Sequence, residues 1–181
     1  MQRIPQIDPA KAPKAVAATL DAVKAKLGVV PNIFKTMAQS PAVLNGYLGF
    51  SGAIGSGKLP AALREQIALA VAGQNACDYC ASAHTALGKM AGLTADEMKR
   101  NLTGLASDPK AQAAVTFAGR IVASRGLVSD AEVATVRAAG FSDEEIVEIL
   151  GNVVANIFTN YFNHLTATDI DFPKVEARRA A

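Results

Sequence analysis

The sequence predicts an all-α fold, one domain spanning residues 1–181, built from helix hairpins and assembled as a homo-oligomer. Three observations carry this expectation. Apolar residues recur at helical spacing in one segment after another, most segments open at Ser, Thr or Asp and close near Gly, and no alternating apolar/polar run marks a strand. With 50% hydrophobic and 19% charged residues and no Trp, the core must be Ala, Leu, Ile and Val in closely packed helices, and the apolar surplus points to subunit contacts.

The elements follow in order. Residues 1–13 carry three prolines and no periodicity, and read as an extended arm. In "KAVAATLDAVKAKLG", Val16, Leu20, Val23 and Leu27 fall on one helical face, and Gly28 fits the position just past a helix end. A short helix is expected after Pro31, a break at Ser40-Pro41, and a longer helix behind it. "SGAIGSGKLP" reads as a Gly/Ser-rich connector, after which Pro60 starts a helix with Leu63, Ile67, Ala70 and Val71 on its apolar face. The next helix is placed from Ala76 to Met90 with Asn75 as its cap, and residues 60–105 form the central hairpin. Four further helical segments begin at "TADEMKRNL", "DPKAQAAVTFAGRIVASRG", "SDAEVATVRAAG" and "SDEEIVEILGNVVANIFTNYFNHLT", and residues 166–181 form a tail. Thr94 with Glu97 and Ser142 with Glu145 have the spacing of reciprocal capping boxes after Gly92 and Gly140.

Charge and hydropathy exclude several classes of function. The formal net charge of +2 is spread along the chain, and no basic run is interleaved with aromatics, so nucleic acid is not an expected partner. No apolar run is long enough to span a bilayer and no signal peptide is recognisable, so no membrane partner and a cytoplasmic location are expected. In a reducing compartment a Cys-x-x-Cys is more often redox-active or metal-binding than a permanent staple.

The chemistry-bearing residues concentrate in "EQIALAVAGQNACDYCASAH", Glu65 to His84, which holds both cysteines of the chain and one of its two histidines. At about 100° per residue, Cys77, Cys80 and His84 fall within roughly 60° on one helix face. Both cysteines lie in the first two turns, where unpaired N–H groups and the helix dipole favour the thiolate. His84, one turn below Cys80, can accept the thiol proton. Glu65, beside Leu63 and Ile67, is either a solvated helix carboxylate or a buried one that orients the imidazole and favours its charge. A c-type haem would need His where Ala81 stands. Zinc would find three ligands and an awkward chelate on one helix, with Glu65 or His164 as a fourth. A thioredoxin-like site would need a βαβ context. Three readings remain: a peroxide-reducing thiol pair, a dithiol–disulfide oxidoreductase, or a helical module whose Cys-x-x-Cys is a structural disulfide or zinc clip. Neither a cofactor nor a metal is expected.

Glu65, eleven intervening residues, then Cys77-x-x-Cys80-x-x-x-His84 resembles the signature of AhpD-like alkylhydroperoxidases of the carboxymuconolactone decarboxylase-like superfamily. "GVVPNIFKTMAQSP" and "NYFNHLTATDIDFP" are similar to segments of its peroxidase-related branch. The resemblance implies that Cys80 attacks the peroxide O–O bond, that Cys77 resolves the sulfenic acid as a disulfide, and that Glu65 and His84 relay protons. It also implies a hydroperoxide substrate, a dithiol or lipoyl-type reductant, and assembly as a dimer, trimer or hexamer. The decarboxylases proper lack the cysteine pair, which argues against lactone decarboxylation here. Tyr79 stands where well-studied relatives carry a second histidine, and is a possible auxiliary residue; a phenol donates a hydrogen bond but is a poor base near neutrality. His164, with Asn160 and Asn163, either lines the same cavity or caps a helix structurally. Phe117, Phe158, Phe162 and Met90 either floor a pocket or are plain core.

Overall fold

The computed structural model describes residues 2–177, and all their regular structure is helical. A single 3₁₀ turn, Pro9–Lys11, interrupts the N-terminal arm, capped by Asp8. The helices are α1 (Lys14–Leu27), α2 (Asn32–Met37), α3 (Pro41–Gly55), α4 (Ala61–Gln74), α5 (Asp78–Met90), α6 (Ala95–Asn101), α7 (Pro109–Ser124), α8 (Asp130–Ala138) and α9 (Asp143–Thr166). None of them is long and apolar enough to cross a membrane.

Helix α4 is the centre. Its residues from Gln66 to Gly73 are all buried, together with Leu63, rather than a single stripe, because α5, α6, α7 and α9 pack around it. A helix surrounded on all sides has no polar face to spare. One side of α4 joins Leu59, Leu63, Ile67 and Val71 to Phe117, Ile121, Ile149 and Val153 of α7 and α9. The other, through Ala72, meets a second cluster in which Leu20, Ile33, Met37 and Leu44 pack around Cys77, Tyr79 and Cys80. Phe117 is thus plain core. Gly73 lets α4 reach the end of α6: an added methyl there would run into the Leu102 carbonyl oxygen.

Local structure differs from expectation at three points. The segment "SGAIG" continues α3 to Gly55, and Ile54 packs beneath Gly151 of α9. The connector shrinks to residues 56–60, and the Glu148 carboxylate fixes it by accepting the Lys58 and Leu59 N–H groups at 2.8 and 3.0 Å. Ser142 and Glu145 form a capping box, as do Ser129 and Glu132. Thr94 accepts the Glu97 N–H, but the Glu97 carboxylate turns inward instead to Ser107, Asn101 and Gln66, which offer it more donors. Third, Asn75 does not cap the redox helix: Ala76 adopts a left-handed φ of 52°, and Cys77 itself is the cap, its sulfur accepting the Cys80 N–H at 3.4 Å.

Both termini strap across this core. Arg3 donates its N–H to the Thr166 carbonyl at 2.7 Å, and its guanidinium donates to the carbonyls of His164 and Leu165, satisfying the end of α9. After α9, the chain turns back over α5, where Ser82 Oγ accepts the Val175 N–H at 2.9 Å and Asp78 accepts the Ala177 N–H at 2.9 Å.

Replacing Gly73 by Ala tests the close approach of α4 and α6. Overpacking against rigid backbone should lower stability by about 1–3 kcal/mol, read as a lower urea midpoint at constant m. An unchanged midpoint contradicts the packing described.

Candidate active site

Cys77 and Cys80 are both free thiols and nearly inaccessible, at 1% and 2% exposure. The left-handed turn at Ala76 and the helix start at Asp78 set them one above the other, with the sulfur of Cys77 at the cap and Cys80 in the first turn. His84 follows one turn on, and Glu65 of α4 faces it across the helix pair: Glu65 Oε2 lies 2.7 Å from His84 Nδ1. Glu65 is therefore not a solvated helix carboxylate; its side chain is 20% exposed and engaged with the imidazole. The four residues from the sequence motif form one constellation.

Helix α9 closes it with residues the motif does not contain. Asn163 donates its amide to Cys80 Sγ at 3.3 Å, Thr159 Oγ1 lies 4.0 Å from the same sulfur, and Asn156 lines the same cavity as His84. These belong to a buried polar stripe, Asn152, Asn156, Thr159, Asn160 and Asn163, along an otherwise apolar helix. The Asn-x-x-x-Asn repeat at 152, 156 and 160 is the sequence signal that could have found it, since amides on a buried face need partners. His164 sits one residue off that face, exposed, and joins nothing in the site.

The electrostatics separate the two thiols. The Cys77 thiol donates to Cys80, which lowers the Cys80 pKa to about 7 against the opposing effect of burial, with further help from the charge of His84 and the bonds from Asn163 and Thr159. The same bond, with burial, pushes Cys77 well above the ordinary thiol value. The helix dipole acts on both cysteines, but two thiols sharing one proton cannot both ionise, so Cys80 is the one that does. Burial pushes the His84 pKa down; the adjoining Glu65 carboxylate outweighs it, and the net direction is up. The carboxylate thus favours the protonated imidazole beside the thiol that ionises first.

Two chambers meet at His84. An apolar one of about 180 Å³ reaches Cys80 and is lined by Leu27, Ile33, Phe34, Tyr79, Met90 and Phe172 among others. A more polar one of about 320 Å³ reaches Glu65 and is lined by Arg64, Ser51, Asn152 and Asn156. Leu27, Phe34, Tyr47, His84 and Leu87 line both. Cys77 opens on neither. Of the large apolar side chains considered from sequence, Met90 lines the apolar chamber, while Phe158 and Phe162 pack beside it, Phe158 stacked on Tyr47 at 5.6 Å. Tyr79 lines the chamber, but its hydroxyl is taken: it donates to Asp171 at 2.8 Å and accepts from the Ile33 N–H at 3.2 Å. Among the described residues no group of three or more His, Cys, Asp or Glu side chains is placed to hold a metal ion.

Residues 41–120, from the start of α3 into α7, match the model of the carboxymuconolactone decarboxylase family. That segment contains Glu65, Cys77, Cys80 and His84. The chain has the AhpD-like all-α fold, and its residues 41–120 are similar to the carboxymuconolactone decarboxylase family. Among solved structures, a peroxidase-related protein from Ralstonia eutropha JMP134 with an alkylhydroperoxidase AhpD core is similar at TM-score 0.86 and 24% identity, over 94% of this chain and 92% of that one. A peroxidase-related protein from Silicibacter sp. TM1040 is similar at TM-score 0.80 and 24% identity, over 92% and 88%. The debrominase Bmp8, in complex with 2,3,4-tribromopyrrole, shares the fold at TM-score 0.78 and 18% identity, over 93% and 91%. No curated protein matches by sequence.

The thiolate arrangement predicts a pH profile. Only the thiolate is alkylated, so the rate of Cys80 alkylation by iodoacetamide should rise with pH through about 7 and level off above it. Asn163→Leu removes a charge-assisted donor, and the midpoint should move up by about one pH unit, the equivalent of about 1.4 kcal/mol. A midpoint unmoved by the substitution contradicts the contact's assigned effect.

Proposed function

We propose that the chain is a thiol-dependent peroxidase that reduces organic hydroperoxides or hydrogen peroxide through Cys80 and Cys77. The observation that carries this reading is that the more acidic of the two thiols, Cys80, is the one open to a chamber, beside an imidazole engaged by Glu65. The peroxidase-related proteins of the same fold support it.

The chemistry balances on these residues. Cys80 thiolate attacks the terminal oxygen of R–O–O–H; an S–O bond forms, the O–O bond breaks, and the electron pair leaves on RO⁻. The His84 imidazolium, oriented by Glu65, protonates RO⁻ to the alcohol. Cys77 thiol then attacks the sulfur of the Cys80 sulfenic acid, forming the disulfide and releasing water. A dithiol of the lipoyl type returns the pair to thiols and becomes a disulfide itself. The apolar lining of the chamber favours an organic R group.

A dithiol–disulfide oxidoreductase is the second reading, favoured by the same chamber-lining Cys80 beside a partner thiol. The exposed apolar residues Val43 and Phe50 on α3, with Val154 and Phe158 on α9, support assembly into a homo-oligomer. A cytoplasmic setting fits a pair that must be kept reduced.

The fully reduced protein should consume one peroxide per pair of thiols. Cys80→Ser should abolish the reaction, and Cys77→Ser should leave a sulfenic acid that dimedone traps. Peroxide consumption unchanged in Cys80→Ser overturns the assignment, whereas oxidation of the pair by a small disulfide but not by peroxide selects the second reading.

A further inference from the structure

Two phenols line the chamber that reaches Cys80, and they are not equivalent. Tyr79, between the two cysteines, has its hydroxyl committed on both sides, to the Asp171 carboxylate and the Ile33 N–H. That carboxylate also accepts the Asn32 N–H at 2.8 Å, so Tyr79 ties the C-terminal strap and the start of α2 to the redox turn. Its ring is pinned edge-on against Phe172 at 5.8 Å. An O–H already given to a carboxylate is not free to follow a reacting oxygen.

Tyr47, on α3, is placed otherwise. Its ring is held between Phe34 and Phe158, with centroids 6.1 and 5.6 Å away, so its position is fixed by stacking rather than by its oxygen. It lines both chambers, together with His84, and so stands where the thiolate side and the carboxylate side of the site meet. Ser51, one turn along α3, lines the polar chamber beside it. Burial, with the negative charges of Cys80 and Glu65, pushes the Tyr47 pKa up to about 12, so the phenol keeps its proton throughout the working pH range.

We infer that Tyr47 is a further catalytic residue of the peroxide step, its hydroxyl donating a hydrogen bond to the oxygen that departs from the O–O bond. The role rests on the peroxidase reading. As Cys80 sulfur bonds the terminal oxygen, negative charge collects on RO⁻, which lies on the far side of the O–O bond from the sulfur. His84 supplies the proton that RO⁻ finally keeps; Tyr47 supplies a fixed dipole while the charge develops and retains its own proton afterwards. Preorganised donors of this kind, aimed at a developing oxyanion in a water-poor site, typically contribute about 100-fold or more to rate. Tyr47 thereby fills the place of a second donor that Tyr79, with its hydroxyl engaged elsewhere, does not.

The test compares two reagents on the reduced full-length protein. Cumene hydroperoxide expels an alkoxide that needs a donor; iodoacetamide expels iodide, which needs none. Tyr47→Phe keeps the stacked ring and should slow Cys80 oxidation by cumene hydroperoxide about 100-fold, leaving the rate and pH midpoint of alkylation by iodoacetamide within about twofold of wild type. Tyr79→Phe serves as the contrast and should leave the ratio of the two rates unchanged. The inference is overturned if Tyr47→Phe oxidises at the wild-type rate, or if both reagents slow by the same factor, which would mean that the ring acts through the thiolate or the fold. A wild-type protein that is alkylated normally but inert to peroxide overturns the function reading itself.

Discussion

A carboxylate pressed against an imidazole, beside a thiol that is 2% exposed, is the interaction on which the site depends. Burial alone would drive the imidazole and the thiol towards neutrality: His84 would lose its proton, and Cys80 would keep its own. Glu65 reverses this at His84 by lending it a counter-charge at 2.7 Å, and the positive charge so favoured adds to the Cys77 hydrogen bond in stabilising the Cys80 thiolate. The pair is therefore a coupled unit. Removing the carboxylate disturbs not one ionisation but two.

The fold exists around that unit. Glu65 lies on α4, the helix enclosed by its neighbours, and its position is fixed by packing on every side and by the close approach at Gly73. The left-handed Ala76 breaks the chain between α4 and α5 so that the cysteine face of α5 meets the carboxylate. Helix α9 then lays a row of amides against the sulfur and the imidazole. These side chains sacrifice hydration, and their bonds to Cys80 and the preceding turn of α9 offset part of that loss. The two straps complete the enclosure, the C-terminal one contributing Phe172 to the chamber wall.

Much of this was legible in the sequence, and the limit follows physical lines. Cys77, Cys80 and His84 share one helix, so helical geometry alone places them on one stripe. Glu65 is on another helix, and whether it faces solvent or the imidazole is decided by the packing of α4, which periodicity does not report. The polar stripe of α9 was visible as spacing but not as function, because its partner lies 83 residues away in sequence. Helix starts were read correctly where Ser or Thr capped them, and misread at Asn75, where a cysteine sulfur took the cap. Tyr79 stood out for its place between the cysteines, yet its hydroxyl answers to Asp171, while Tyr47 is silent in sequence and lines both chambers.

The account's central claim is that the Glu65–His84 pair adds to the Cys77 hydrogen bond in setting the ionisation of Cys80. It is tested most directly by titrating the first thiolate of the fully reduced protein, assigned to Cys80, through ultraviolet absorbance with and without Glu65→Gln. With Glu65 present, the thiol should ionise well below the ordinary thiol range, and Glu65→Gln should raise its pKa by about one unit or more. A thiol that titrates in the ordinary range near 8.5 with Glu65 in place, or one unmoved by its loss, contradicts the account.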